Sequence, residues 1–194
     1  MLTACSPVKT QVSNQYKLQS FNAKKWGKQH SHQSILISQP DSIAGYQTEQ
    51  MLYTDKPFEL SNFANSAWIS SPANMLFPLI VQSIEKTHYF YAVASSPNSD
   101  KTDYRLDTQL IELQQNFITK PSVLELAVNV VLTHVEDSRV VRSRIISKRV
   151  TCPTDTPLGG VIAANKATFE LTKTLSDFVV QNINHDVHHP TPLG

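Results

Sequence analysis

Arg139, Arg142, Arg144, Lys148 and Arg149 crowd one segment, RVVRSRIISKRV, and cations at this density can contact phosphate or other anionic oxygens. On a strand, Arg142, Arg144 and Lys148 would share one face. The competing reading is a solvent-facing strand whose cations pair with Glu112 and Glu125 across the sheet, and it is the favoured one. A nucleic-acid reader adds aromatic stacking residues beside its cations, and this segment has none. Nucleic acid is therefore not an expected partner. Histidines raise a metal question, with His30 and His32 in one polar stretch and His185, His188 and His189 near the end of the chain. A zinc site needs about four ligands held in fixed geometry, and a flexible tail does not preorganise them. These histidines read as solvated, and no metal or cofactor is expected. Asp103, Asp107 and Glu112 lie close together, yet no nucleophile elbow, HExxH or paired-carboxylate signature accompanies them. With only 5 glycines there is no GxGxxG and no P-loop. The expectation is a protein that is not an enzyme.

Two cysteines are too few for a disulfide framework. Cys152 reads as a small buried hydrophobe. Cys5 is different, because Leu2-Thr3-Ala4-Cys5 places small residues before a thiol, and a lipobox uses such a thiol as the nucleophile that takes up a diacylglycerol group. A polar tether, SPVKTQVS, follows it. The basic and apolar segments of a signal peptide do not precede it. The reading therefore expects a longer start than Met1, with Met1 to Ala4 as a lipobox remnant and Cys5 as the lipidated residue.

The elements that must position these groups are those of a globular domain. A chain of 194 residues with 40% hydrophobic and 17% charged residues can bury a core, and a net charge of +1 gives no global steering toward an anionic partner. Its longest apolar runs, such as MLFPLIV and LAVNVVL, fall far short of the roughly 20 residues of a membrane span. Alternation predicts strands in QYKLQSF, with Tyr16, Leu18 and Ser20 on one face, and in SILIS, MLYTD, PFELSNF and HYFYAVAS. In YRLDTQLIELQQNF, Leu106 and Leu110 share one face while Ile111, Leu113 and Phe117 share the other, which predicts a β-bulge or a change of packing partner between Leu110 and Ile111. VLELAVNVVLTHV alternates cleanly, and the EDSR turn makes 121–150 an antiparallel hairpin. A first helix should start at Ser70 or Ser71 with Pro72 in its first turn, run to about Lys86, and kink or start late because of Pro78. A second should occupy about 159–182, with Val161, Ala164, Thr168, Leu171, Leu175 and Phe178 on its buried stripe. The fold class expected is α/β (α+β-like): a mostly antiparallel mixed sheet with two main helices packed on it.

Together the lipobox LTAC, YKL at 16–18, AWISSPANMLFPLIVQSIEKT leading into HYFYAV, YRLDTQLIELQQNF and VIAANKATFELTKTLSDFVV resemble the ABC-type transport auxiliary lipoprotein family. That family includes the paraquat-inducible protein C lipoproteins that accompany MCE systems. The resemblance covers most of residues 5–182. It implies a noncatalytic accessory subunit on the periplasmic side of the outer membrane of a Gram-negative bacterium, held there by acyl chains on Cys5. The partners it implies are MCE-domain or ABC transporter components that move lipids or other hydrophobic compounds, with a homo-oligomer as a further expectation. Ser6 after Cys5 agrees with sorting to the outer membrane. No catalytic residue carries over, and Lys24, Lys25, Lys28 and the histidines of the tail match no family feature. The organisation expected is a tether over 1–13, one domain over 14–182 and a flexible tail over 183–194. The rival reading is a soluble periplasmic binding module whose Arg142 to Arg149 strand holds an anionic ligand or polymer.

Overall fold

VLELAVNVVLTH alternates because one side of it faces a core, and the strand it forms lies in a single nine-stranded sheet. The computed structural model describes residues 14–27, 30–97 and 101–189. Its elements are β1 (Asn14–Tyr16), β2 (Ser34–Ile37), β3 (Asp41–Ser42), β4 (Gln50–Thr54), β5 (Ser61–Trp68), α1 (Pro72–Lys86), β6 (Ala92–Ser95), β7 (Tyr104–Asn116), β8 (Val123–His134), β9 (Arg139–Thr151) and α2 (Pro157–His188). β7 organises the sheet. One of its edges pairs antiparallel with β8, which pairs antiparallel with β9. Its other edge is lined in succession by β2, β3 and β4, all parallel to it, with Ile35 opposite Tyr104, Asp41 opposite Gln109 and Leu52 opposite Gln114. β2 carries β6 in parallel, and β4 carries β5 antiparallel, with β1 parallel beyond it. The two long ladders are antiparallel and the parallel ones are all short, so the class is the mixed α+β arrangement expected.

Both helices pack on one face of this sheet. Leu124, Leu126, Val128, Val130 and Leu132 of β8 meet Leu171, Leu175, Val179 and Ile183 of α2 and Leu76, Ile80 and Ile84 of α1 in one core. Leu106, Leu132, Ile80, Ile84, Leu171, Leu175 and Ile183 have no accessible surface left. Each such side chain contributes about 1.5–3 kcal/mol by leaving water. The predicted face switch in β7 is a bulge: register shifts between Leu110 and Glu112, and the extra residue is Ile111. It restores Leu113, opposite Leu126, to the buried face that Leu110 occupies opposite Val128. Without it, Leu113 would point away from the helices.

α2 begins where Thr156 accepts a hydrogen bond from the Gly159 amide at 3.1 Å and Pro157 occupies the first turn. Two glycines follow because the first turn presses on its neighbours. A Cβ at Gly159 would collide with the Thr154 carbonyl oxygen, and one at Gly160 with Gln115 Oε1. The helix does not stop near residue 182 but continues through 183–188, where the tail was expected to begin. Asp186 is held there by Arg139 and Tyr104, contacts that no local pattern encodes.

Other boundaries moved for equally physical reasons. Only Gln15 and Tyr16 of QYKLQSF belong to a strand, because the next segment lies on α2 instead. The amides of Gln19 and Ser20 donate to Asn165 Oδ1, and that of Asn22 donates to Thr172 Oγ1. Helix side chains thus satisfy the donors a strand would have used. In PFELSNF the strand starts at Ser61, after a turn that holds Phe58 at φ 67°. HYFYAVAS becomes a strand only from Ala92, since His88 has φ 53°. α1 starts at Pro72 rather than late, and it is assigned as one helix through Pro78. Ser71 is its N-cap residue, without a capping hydrogen bond from its side chain. Residues 1–13 and 190–194 lie outside the described residues, and with them the lipobox, Cys5 and the end of the tail.

Candidate functional site

β9 is an edge strand, and its cations divide between its two faces. Arg142, Arg144 and Lys148 stand opposite Leu132, Val130 and Leu126, which are core residues, so the three cations lie on the helix side of the sheet. Arg142 and Arg144 are exposed there, as expected of a solvent-facing stripe, but among the described residues none of the three pairs with Glu112 or Glu125. Arg149, on the other face, makes the expected pair, meeting Glu125 at 2.9 Å. Past the core, the helix-side stripe and the outer flank of α2 enclose an open groove of about 470 Å³. Thr174, Asp177, Phe178, Gln181 and Asn182 form its helix wall, at spacings that place them on neighbouring turns.

The β9 wall of the groove is cationic. Lys148 Nζ donates to Thr174 Oγ1 at 2.8 Å, and the Arg144 guanidinium lies 5.9 Å from the Phe178 ring centroid. Among the described residues the Arg142 side chain makes no hydrogen bond or ion pair. Arg142 and Arg144 line it against the single carboxylate of Asp177, and with Lys148 bonded to Thr174 of its wall the local field is positive. Among the described residues no histidine or cysteine lines the groove. Asp177, Gln181 and Asn182 escaped the sequence reading, although their spacing from Thr174 was visible in it.

Two further polar clusters are internally satisfied. On the outer face, Glu125 accepts from Arg149, from Gln114 Nε2 at 3.1 Å and from Asn116 Nδ2 at 3.3 Å, while Tyr46 donates to Gln114 Oε1 at 2.8 Å. Burial pushes the Tyr46 hydroxyl up to about 12, aided by Glu112 and Glu125, and burial raises the Glu112 carboxyl with help from Glu125. At the far end of α2, Asp186 accepts from Tyr104 at 2.9 Å and from Arg139, whose Nε also reaches Asp137 at 3.2 Å. Asp137 in turn meets His134 Nδ1 at 2.8 Å. Apart from Glu112, each of these side chains has a hydrogen-bond or ion-pair partner, as expected of a network that fixes structure.

The sequence-predicted groups fall as follows. His30, His32 and His188 line one hollow of about 240 Å³ with Tyr89 and Asn184, brought together because α2 reaches His188. His30 Nδ1 pairs with the His88 carbonyl at 2.7 Å and His188 Nδ1 with that of Asn184 at 2.7 Å. Among the described residues no group of three His, Cys, Asp or Glu is placed to hold a metal ion. Cys152 is buried, and burial pushes its thiol up. Asp103 fixes β2 by accepting from the Ser34 amide and hydroxyl, both at 2.6 Å, and Asp107 pairs with Arg105.

The model of one family, described as the ABC-type transport auxiliary lipoprotein component, matches residues 16–176. The fold is similar to that of protein XCC0632 from Xanthomonas campestris, with a TM-score of 0.82 and 18% identity over 90% of this chain and 99% of that one. It is also similar to protein CT253 from Chlamydia trachomatis, with a TM-score of 0.54 and 7% identity over 77% and 98% of the two chains. No curated protein matches the chain.

Proposed function

Since the chain belongs to the family of ABC-type transport auxiliary lipoprotein components, we propose that it serves as a noncatalytic, lipid-anchored accessory subunit of an ABC or MCE-type system that moves lipids or other hydrophobic compounds across the cell envelope. The observation that carries this reading is the family match, which spans the sheet from β1 through α1 and most of α2. Supporting it, Leu2-Thr3-Ala4-Cys5 has the chemistry of an acylation site, and among the described residues no helix is long and apolar enough to cross a membrane. One acyl chain holds a protein only marginally, and two or more hold it stably, at about 0.8 kcal/mol per buried CH₂. The location proposed is the periplasmic side of the outer membrane. Metabolic labelling with an alkynyl fatty acid tests the anchor: wild type takes the label and Cys5→Ala does not. Equal labelling of the two, or none, sinks it. Co-purification of an ATPase and a permease with the acylated protein tests the partnership.

A second reading is favoured by one observation, the Arg142 guanidinium, unpaired among the described residues, beside Arg144 in the open groove. In it the same domain captures an anionic ligand between β9 and α2. The two are compatible, since an accessory subunit that recognises a charged headgroup would do both.

A further inference from the structure

Three turns emerge side by side at one end of the sheet. Residues 55–60 join β4 to β5, residues 117–122 join β7 to β8, and residues 152–156 lead into α2. They are tied together: the Phe117 amide donates to the Thr54 carbonyl at 2.8 Å, the Ser122 amide to Asp155 at 2.7 Å, and the Cys152 amide to the Ser122 carbonyl at 2.8 Å. Beneath them Tyr53, Phe63 and Phe117 pack ring on ring, with centroids 4.7 to 6.1 Å apart, as a firm base.

The outer surface of this end exposes several large apolar side chains. Phe58 is fully exposed, Ile118 is 50% exposed, and Leu60 and Leu158 are exposed as well. Phe58 is also held at φ 67°, a left-handed backbone that a bulky side chain rarely adopts. A large ring kept in solvent by a strained backbone is a feature that folding alone does not call for. The nearby cations are already paired, Lys56 with Glu59 and Lys120 with Asp155. With exposed Asp55 the three turns carry two cations and three carboxylates, so the end combines large apolar side chains with a small negative charge.

The direction of the chain says what covers it. β1 runs parallel to β5, with Asn14 opposite Ser66 and Tyr16 opposite Trp68, so Asn14, the first described residue, stands at the end of β1 nearer Ser61 and the Phe58 turn. From Ser66 back to Ser61 is about 17 Å at about 3.3 Å per residue. The chain from Cys5 to Asn14 spans about 30 Å at most. Cys5 can thus stand no farther than about 13 Å beyond the start of β5, even on a fully stretched tether running straight along that edge. Acyl chains on Cys5 would hold the Phe58 end, rather than the Tyr91 end, against the bilayer.

We propose that the end formed by Phe58, Leu60, Ile118 and Leu158 is a bilayer-contact surface, lying on the same membrane that holds the acyl chains of Cys5. This rests on the lipid-anchor reading above. Contact through both the anchor and this end would fix the orientation of the domain and turn the opposite end of the sheet toward a partner.

The test uses the acylated full-length protein on vesicles of phosphatidylethanolamine and phosphatidylglycerol, some carrying brominated acyl chains. Two variants place a reporter at opposite ends, Phe58→Trp and the equally solvent-facing Tyr91→Trp, each compared with the parent protein for the signal of Trp26 and Trp68. Ile118→Trp gives a second reporter on the proposed surface. The expected result is that emission from positions 58 and 118 shifts to the blue and is quenched by bromolipid, while that from position 91 is unchanged. If the protein floats with the vesicles and positions 58 and 118 stay as unquenched as 91, the contact surface is overturned and the anchor stands. If those positions are shielded in a concentration-dependent way without quenching, a second copy covers the surface and the proposal fails. If wild type does not float, or Cys5→Ala floats equally, the anchor reading falls and the proposal with it.

Discussion

Arg139 grips Asp186 with two parallel hydrogen bonds, Nη1 to Oδ1 at 2.9 Å and Nη2 to Oδ2 at 3.1 Å, and so ties the last turn of α2 to the start of β9. Tyr104 donates to the same carboxylate, which is only 8% exposed. Asp186→Ala leaves the guanidinium and the hydroxyl without their acceptor. Breaking a buried pair from one side costs about 3–5 kcal/mol, and the partial exposure of Arg139 lowers the expectation here to about 2 kcal/mol. Denaturant unfolding measures it, and amide exchange over 183–188 should accelerate well before that of β8.

The same carboxylate makes stability depend on pH in a definite direction. Burial by itself would raise the Asp186 carboxyl, but hydrogen bonds from Arg139 and Tyr104 outweigh it and hold the group below its usual range. Hydrogen bonds from His134 and Arg139 take Asp137 to about 2, and those from Ser122 and Lys120 take Asp155 to about 2. Folded values below the unfolded ones mean that this stabilisation is present above about pH 4 and is lost as pH falls from there toward 2. Tm should drop steeply through that window, and less steeply in Asp186→Asn. A flat Tm between pH 4 and 2 would contradict the assignment.

Gly160 and Gln115 should couple strongly. In most helices Gly→Ala gains about 1 kcal/mol. At Gly160 the new Cβ meets Gln115 Oε1, a buried oxygen with no hydrogen-bond partner, so the substitution should destabilise instead. Adding Gln115→Ala to Gly160→Ala should recover much of the loss, a coupling of more than about 1 kcal/mol in a double-mutant cycle. Additive effects would show that the two residues do not meet.

Arg142→Ala and Arg144→Ala should leave stability within about 0.5 kcal/mol, because both side chains are at the surface. If the β9–α2 groove holds an anion, each should weaken binding of a phosphorylated headgroup analogue about tenfold, as loss of a charge-assisted contact does. Calorimetric titration reads this directly, and an unchanged affinity in the double variant would assign the groove no such role.

Much of this fold was legible because it is written in short-range pattern. The face switch at Leu110 and Ile111 announced the bulge, and the alternation of Leu124 to Leu132 announced a strand with one buried side. The 3.6-residue stripe from Val161 to Phe178 announced the face of α2 that meets it. Long-range partners decided the rest. Residues 17–22 leave the strand state because Asn165 and Thr172 of α2 take up their amides. α2 outlasts its apolar stripe because Asp186 finds Arg139 and Tyr104. Arg142, Arg144 and Lys148 share a face by simple period-2 spacing, which the sequence states by itself. Whether that face meets solvent or a helix depends on which neighbours β9 acquires. The thiol of Cys5 and the polar tether after it are sequence facts as well. That Asn14 stands at the end of β1 nearer the Phe58 turn follows only from β1 pairing parallel with β5. Strand direction in a sheet is set by partners far away in the chain, and local spacing carries no record of it.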